Sequence, residues 1–123
     1  MLVAEEVAAG PEVICGLTRD PQYGPVSAVG VGGRYAEALS LSVTSLAPLT
    51  HDQAVRLVRR APGIAKLASD EAFDTIVHSV LALSRLAVDR PSVVEAEVNP
   101  LILGPTSTVA VDALVICETP PDE

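Results

Sequence analysis

Aromatic side chains are the scarcest class in this sequence. Among 123 residues there are one Phe, two Tyr and no Trp. A core built around aromatic rings is therefore excluded, and Val, Leu, Ile and Ala must fill the interior. Hydrophobic residues make up 49% of the chain, which is typical of a globular protein rather than a disordered one. The length is enough for one domain with one core.

Basic residues are also few. The chain has 8 Lys and Arg against 16 Asp and Glu, for a net charge of −8. This balance disfavours nucleic-acid binding, because such proteins neutralise backbone phosphates with Lys and Arg patches. It also disfavours binding of a nucleotide, unless a metal ion or a second, basic partner is present.

Other classes are excluded by what the sequence lacks. No apolar run reaches the ~18 residues of a membrane span, and the first residues do not resemble a secretory leader. The two cysteines, Cys15 and Cys117, lie within apolar strand patterns, so we expect two buried, reduced thiols in a cytoplasmic protein, with a disulfide as the less favoured alternative. His51 and His78 are isolated, which disfavours a zinc site.

The pattern of elements predicts strands, then helices, then a hairpin. Strand-like runs cover 2–7, 12–17 and 26–31, and 34–45 reads as mostly extended. Thr50 with Gln53 forms a capping-box pattern that begins a helix ending at Pro62. A one-turn connector and a longer amphipathic helix, from Ser69 or Asp70 to about Asp89, follow. This order predicts an α+β fold, an antiparallel sheet covered by two helices.

The hairpin is predicted from two β-branched runs, 93–103 and 108–116, around a turn at 104–107. If Leu103 pairs with Thr108, Asn99 lies directly opposite Asp112. Glu97 lies on the same face as Asn99, because strand side chains repeat every second residue.

The two faces of this hairpin have opposite chemistry. One carries oxygen ligands and could hold a hard cation such as Mg²⁺. The alternative is a half-exposed hairpin whose polar face is simply solvated. The other face is predicted to be core: Val94, Ala96, Val98, Val111, Ala113, Val115.

Five motifs in order resemble the ADP-forming (NDP-forming) acyl-CoA synthetases. The motifs are 12–25, 32–37, 46–49, 86–89 and 97–101, and the match runs along essentially the whole chain, from Leu2 to about Ile116. In that family they belong to the ATP-grasp domain, which is similar to that of the succinyl-CoA synthetase β subunit. The resemblance implies that 1–117 form the C-terminal ATP-grasp subdomain, beginning at the hinge strand between two lobes, with 118–123 as an acidic, Pro-rich tail.

The resemblance also implies ligand roles. Glu5 and Val7 would lie along the adenine edge and Glu12 would bind the ribose hydroxyls. Asn99 and Asp112 match the Mg²⁺ ligands. Glu97 matches a catalytic acid that lies near the phosphohistidine intermediate in the family. Three residues match a loop on the phosphate side: Gly32, Gly33, Glu37. The implied cofactors are Mg²⁺ and ATP or ADP.

The implied function is that of the nucleotide- and Mg²⁺-binding half of an ADP-forming acid–CoA ligase that uses a phosphohistidine. Its partners would be the missing N-terminal lobe and a CoA-binding, phosphohistidine-bearing domain or subunit, so this chain alone is expected to be inactive. Its lobe-facing apolar surface would favour a homodimer. The family's aromatic-Arg pair is replaced by Thr44-Ser45. Two alternatives stay open: an appendage of a lysine acetyltransferase-like protein, and a degenerate interaction domain.

Overall fold

A computed structural model describes residues 10–32, 43–104 and 107–118. Three helices and six strands lie within these ranges, and their bounds are β1 Glu12–Asp20, β2 Gly24–Val31, β3 Val43–Leu46, α1 His51–Arg60, α2 Ile64–Leu67, α3 Asp70–Asp89, β4 Val93–Leu103, β5 Thr108–Ala110 and β6 Ala113–Cys117.

The strands form one antiparallel sheet in the order β3-β2-β1-β4-β5, and β6 also pairs with β4. β4 is the longest strand and has β1 on one side and both β5 and β6 on the other. The predicted α+β fold, an antiparallel sheet covered by two long helices, is confirmed. Within the described residues, no helix is long and apolar enough to cross a membrane.

The helices cover one face of the sheet. In β1, Val13, Cys15 and Leu17 are buried and alternate with more exposed neighbours. They belong to the same core cluster as Leu57 of α1 and Ile76 of α3. Full burial of an aliphatic side chain contributes about 1.5–3 kcal/mol, so this layer is the main source of stability. The opposite face of β1 and β2 has no helix on it within the described chain.

Both long helices begin where their capping residues predict. The Thr50 hydroxyl accepts a hydrogen bond from the Gln53 N–H (3.1 Å), and the Gln53 side-chain oxygen accepts one from the Thr50 N–H (2.9 Å). The Ser69 hydroxyl accepts from the Ala72 N–H at the start of α3 (3.1 Å). Such caps satisfy N–H groups that lack intrahelical partners, at about 1 kcal/mol each.

The first hairpin is longer than predicted. The sequence predicts that the strand ends at Leu17, but β1 continues to Asp20 and β2 begins at Gly24. The Asp20 side chain accepts hydrogen bonds from the N–H groups of Gln22 (2.7 Å) and Tyr23 (3.0 Å). Gly24 has φ of 84°, which glycine adopts without steric cost. The Asp and Gly therefore confine the turn to three residues.

Arg19 joins three elements. Its Nε donates to the Val93 carbonyl (2.6 Å), and its Nη2 donates to the carbonyl oxygens of Ala87 (2.7 Å) and Arg90 (3.4 Å). The guanidinium thus caps the C-terminal end of α3, where a cation is favourable, and fixes the first residue of β4. This gives the Arg19-Asp20 motif, whose role the resemblance leaves open, a structural role.

The predicted register of the second hairpin is confirmed. Leu103 pairs with Thr108, and beyond the short break at 111–112 Val98 pairs with Ala113 in the same register. Across the break the Asn99 N–H donates to the Asp112 carbonyl (3.0 Å). Asn99 therefore lies opposite Asp112.

The predicted core face of this hairpin is only partly correct. Ala96 is fully buried and Val98 packs against the core, but Val111 and Val115 are 45% and 53% exposed. No helix in the described chain covers β6, so alternation alone does not bury it. The same reason makes the prediction of a buried Cys117 wrong: Cys15 is buried and Cys117 is exposed, and both are free thiols.

Candidate functional site

The face of the sheet opposite the helices, which we call the open face, contains a groove of about 180 Å³. Its floor is formed by outward-facing residues of β1 and β2, and its far wall by β4. The residues that line it from these faces include Ile14, Gly16, Thr18, Val26, Ala28, Gly30, Glu95 and Glu97.

Small side chains form the floor of this groove. Gly16 pairs with Ala28 on one side and with Glu97 on the other. A Cβ added to Gly16 would meet the Ala96 carbonyl oxygen at 3.8 Å, an ordinary contact, so the absence of a side chain here is not forced by crowding. Gly16 and Ala28 therefore form a flat surface, which we call the shelf, with Glu97 at its edge. A planar or extended ligand can approach the backbone there.

A second acid extends the wall. Glu95 pairs with Thr18 in the next row of the same face, two residues from Glu97. Both carboxylates are partly exposed. This row alternates with the buried Ala96, so the acids face away from the core.

The Asn99–Asp112 pair follows Glu97 along β4, where the pairing of β1 with β4 shifts register. Both residues are exposed. One carboxylate oxygen of Asp112 accepts a hydrogen bond from the Ala113 N–H (2.8 Å), which orients the side chain and leaves the second oxygen available. An amide oxygen and a carboxylate are ligand types that suit Mg²⁺, which keeps several waters and binds one or two protein ligands plus phosphate.

The pair fits Mg²⁺ in chemistry but cannot enclose it. No cluster of three His, Cys, Asp or Glu side chains that could hold a metal occurs in residues 10–32, 43–104 and 107–118. A cation here would need further oxygen atoms from water and from a phosphate. The two side chains alone would therefore supply only one side of a coordination shell.

The rim of the open face is apolar. In β6, Leu114 pairs with Glu97 and Ile116 pairs with Glu95. These side chains are 48% and 41% exposed, and Leu46, on β3 at the far edge, is 56% exposed. Exposed apolar groups around polar ones are typical of a surface that another body covers.

Of the other residues assigned by resemblance, the structure places two. Glu12 and Gly32 lie together, because the Gly32 N–H donates to the Glu12 carbonyl (2.8 Å). Glu12 alternates with the buried Val13 and so lies on the open face. Four further predicted ligands, Glu5, Val7, Gly33 and Glu37, lie outside the described residues.

The shelf itself was missed by sequence reasoning. Gly16, Thr18 and Ala28 were not predicted to belong to a site. The available signal was the small residue at Gly16 in the outward-facing series of β1, where a strand of a closed core would carry a larger side chain. His51 and His78 lie on α1 and α3, on the other side of the sheet.

Comparison with known proteins identifies the family of the fold. The family model of the ATP-grasp domain matches residues 1–117. An ADP-forming acetate–CoA ligase I of Archaeoglobus fulgidus is 33% identical over 117 residues, which cover 91% of this chain and 17% of that protein. The β subunit of the ADP-forming acetate–CoA ligase I of Pyrococcus furiosus is 29% identical over 121 residues, 94% of this chain and 52% of the subunit.

Solved structures give the same result. The acetyl-coenzyme A synthetase 1 of Ca. Korarchaeum cryptofilum, solved with coenzyme A and Mg-AMPPCP, superposes with a TM-score of 0.77 at 28% identity and covers 90% of this chain and 55% of that one. A Pyrococcus horikoshii protein gives 0.78 at 30% identity, over 91% and 50% of the two chains.

The fold and the family match together define the class: the chain belongs to the ATP-grasp domain family. Its relatives include ADP-forming acyl-CoA synthetases, and the chain is similar to one part of them. It spans about half the length of the β subunit it matches.

Proposed function

We propose that this chain supplies the nucleotide- and Mg²⁺-binding half of an ADP-forming acid–CoA ligase. The observation that supports the proposal is the hairpin register, in which exposed Asn99 lies opposite exposed Asp112, two residues along β4 from Glu97. The fold is that of an ATP-grasp domain, and it carries a pair of oxygen ligands near a flat shelf of small residues. Such an arrangement could contact one side of a metal–nucleotide complex.

The chemistry requires mainly positioning and charge neutralisation, since phosphoryl transfer leaves little covalent work for the protein. When bound, Mg²⁺ would neutralise phosphate charge. Asn99 and Asp112 would hold the metal, and the Gly16–Ala28 shelf would let the nucleotide approach the backbone. Glu97 would lie beside the transferred phosphoryl group, and Glu12 would accept hydrogen bonds from the ribose. Gly32 lies next to Glu12, on the proposed phosphate side.

The residues outside the described ranges complete the proposal. Glu5 and Val7 would line the adenine edge, and Gly33 and Glu37 would lie near the phosphates. A net charge of −8 repels a nucleotide, and no Lys or Arg among the described residues lines the groove on the open face, so basic groups for that site must come from elsewhere. We assign them to an N-terminal lobe, and the phosphohistidine and CoA site to a further domain or subunit, in a cytoplasmic enzyme. The isolated chain would then be inactive, and its exposed apolar face would favour a homodimer.

The test is a titration of Mg²⁺-ADP into this chain joined to an ATP-grasp N-terminal lobe. Asn99→Ala and Asp112→Ala are each expected to weaken binding at least about tenfold, which is ~1.4 kcal/mol, because each removes a metal ligand. Asp89→Ala is the matched control, an exposed acid on α3 away from the open face.

Three results would contradict the proposal. The first is Mg²⁺-ADP binding that neither ligand variant changes, and the second is no binding at all; both favour a degenerate interaction domain. The third is acyl-CoA formation from ATP, acid and CoA by residues 1–123 alone. That result would show that the chain contains a complete active site and not half of one.

A further inference from the structure

A second groove lies on α1, at the edge of the sheet formed by β3. It has a volume of about 330 Å³. Three arginines are among its lining residues, which are Ser45, Gln53, Arg56, Leu57, Arg59 and Arg60. Because α1 packs on the core face, this groove is separate from the open face that carries Asn99 and Asp112.

The charge of this segment is opposite to that of the chain. The chain as a whole has a net charge of −8, yet no acid occurs between Asp52 and Asp70. Arg56, Arg59 and Arg60 lie three and four positions apart on one helix, a spacing at which like charges cost about 0.2–0.5 kcal/mol per pair. The low content of basic residues in the whole chain therefore does not describe this helix.

The donors in the groove are oriented and only partly used. Within the described ranges, the one hydrogen bond from these three guanidinium groups runs from Arg60 Nη2 to the Thr44 carbonyl oxygen (3.4 Å). The Arg59 guanidinium lies over the Phe73 ring, 5.9 Å from its centre, which holds that side chain by a weak cation–π contact. Each arginine has five N–H donors, so most of them still face the groove or solvent.

Two neutral side chains add to this set. The Gln53 side-chain oxygen is taken by the Thr50 N–H, so its NH₂ group is the part left to donate to a ligand. The partly buried Ser45 supplies a hydroxyl. The groove therefore combines charged and neutral donors in a concave site near the lower end of the size range of ligand pockets, about 300–1,000 Å³.

We propose that this groove binds a small molecule that carries a phosphate or pyrophosphate group. The planar guanidinium fork matches phosphate oxygens in pairs, and several such forks favour a ligand with two or more negative charges. A nucleic acid does not fit, because α1 is a single helix about 15 Å long and the rest of the acidic surface repels a long polyanion.

The experiment titrates pyrophosphate into residues 1–123, labelled with ¹⁵N, at low salt and without Mg²⁺. Amide shifts are expected at Ser45 and along α1, and not at Glu97 or Asn99. The double variant Arg56→Gln/Arg59→Gln should weaken binding at least about tenfold. Arg85→Gln/Arg90→Gln, which removes the same charge from exposed arginines at the end of α3, should leave binding within about twofold of the unchanged chain.

Further titrations identify the ligand and distinguish this groove from the proposed nucleotide site on the open face. Inorganic phosphate and ADP, both without Mg²⁺, show whether a free or an organic phosphate is preferred; binding of either at the α1 amides supports the site. Asn99→Ala and Asp112→Ala should leave pyrophosphate binding unchanged, so loss of one site does not imply loss of the other.

The proposal is overturned if the two double variants weaken binding equally, because the effect is then one of net charge. Disappearance of binding at about 150 mM salt has the same meaning. Stronger competition by an acidic peptide than by pyrophosphate would identify the groove as a protein-docking surface instead.

Discussion

Cys15 and Cys117 carry the same side chain in opposite surroundings. Cys15 lies in the core on β1, and burial raises the pKa of its thiol from 9.0 to about 12. Cys117 is the last residue of β6 and is exposed. Because the thiolate is the reactive form, the two residues should differ strongly in reactivity.

We expect a thiol reagent at about pH 8 to modify Cys117 quickly and Cys15 only after unfolding. Counting modified residues by mass spectrometry, with and without urea, checks this. Equal labelling of both in the native protein would show that the core opens at β1.

The same pKa shift has a consequence for stability. Between pH 9.0 and about 12 the unfolded chain loses the Cys15 proton while the folded chain keeps it. This cysteine therefore lowers the free energy of unfolding by about 1.4 kcal/mol for each pH unit above pH 9. Urea unfolding at successive pH values should show that slope, and Cys15→Ala should remove it.

At the scale of elements, Arg19 connects three parts of the fold. It joins β1 to the end of α3 and to the first residue of β4 through three carbonyl oxygens. Arg19→Ala would leave partly buried carbonyls without a donor, so we expect a loss of about 2–3 kcal/mol in the free energy of unfolding. Chemical denaturation measures it.

Two further variants interpret that result. Arg85→Ala removes an exposed arginine from α3 and should cost under about 0.5 kcal/mol. Arg19→Lys keeps the charge but loses the fork, and should recover only part of the stability. Full recovery by lysine would mean that charge alone, and not the geometry of three hydrogen bonds, accounts for the effect.

Elements whose determinants are local could be predicted from the sequence. The start of α1 follows from Thr50 and Gln53, which contact each other, and the β4–β5 register follows from a short turn. Arg19 could not be assigned, because its partners are 68 to 74 residues away. The exposure of β6 could not be predicted either, since alternation separates two faces but does not say which has a helix over it.

At the scale of the whole molecule, the open face is the surface that the described residues leave uncovered. Leu46, Leu114 and Ile116 are each more than 40% exposed on it. We expect the isolated chain to self-associate through these residues. Sedimentation at increasing concentration should show a dimer that Leu114→Gln/Ile116→Gln weakens, whereas Val88→Gln, at an exposed apolar residue of α3, should not.

The opposite result would also be informative. A dimer that survives the double substitution uses another surface. A monomer at all concentrations would show that the open face does not mediate self-association in the isolated chain.

The site was only partly predictable from the sequence. The Asn99–Asp112 pairing follows from the hairpin register. The shelf at Gly16 depends on β2 and β4 lying on either side of β1, which no local sequence pattern indicates.

The position of β1 between β2 and β4 has a consequence for how the chain folds. Its hairpin with β2 closes over three residues, whereas its contacts with β4 join residues such as Arg19 and Val93, 74 positions apart. Contacts of such separation slow folding, because the intervening loop must first lose entropy. On a ribosome, the β1–β2 hairpin and both long helices would emerge first, and the edge of β1 would stay unpaired until β4 is synthesised.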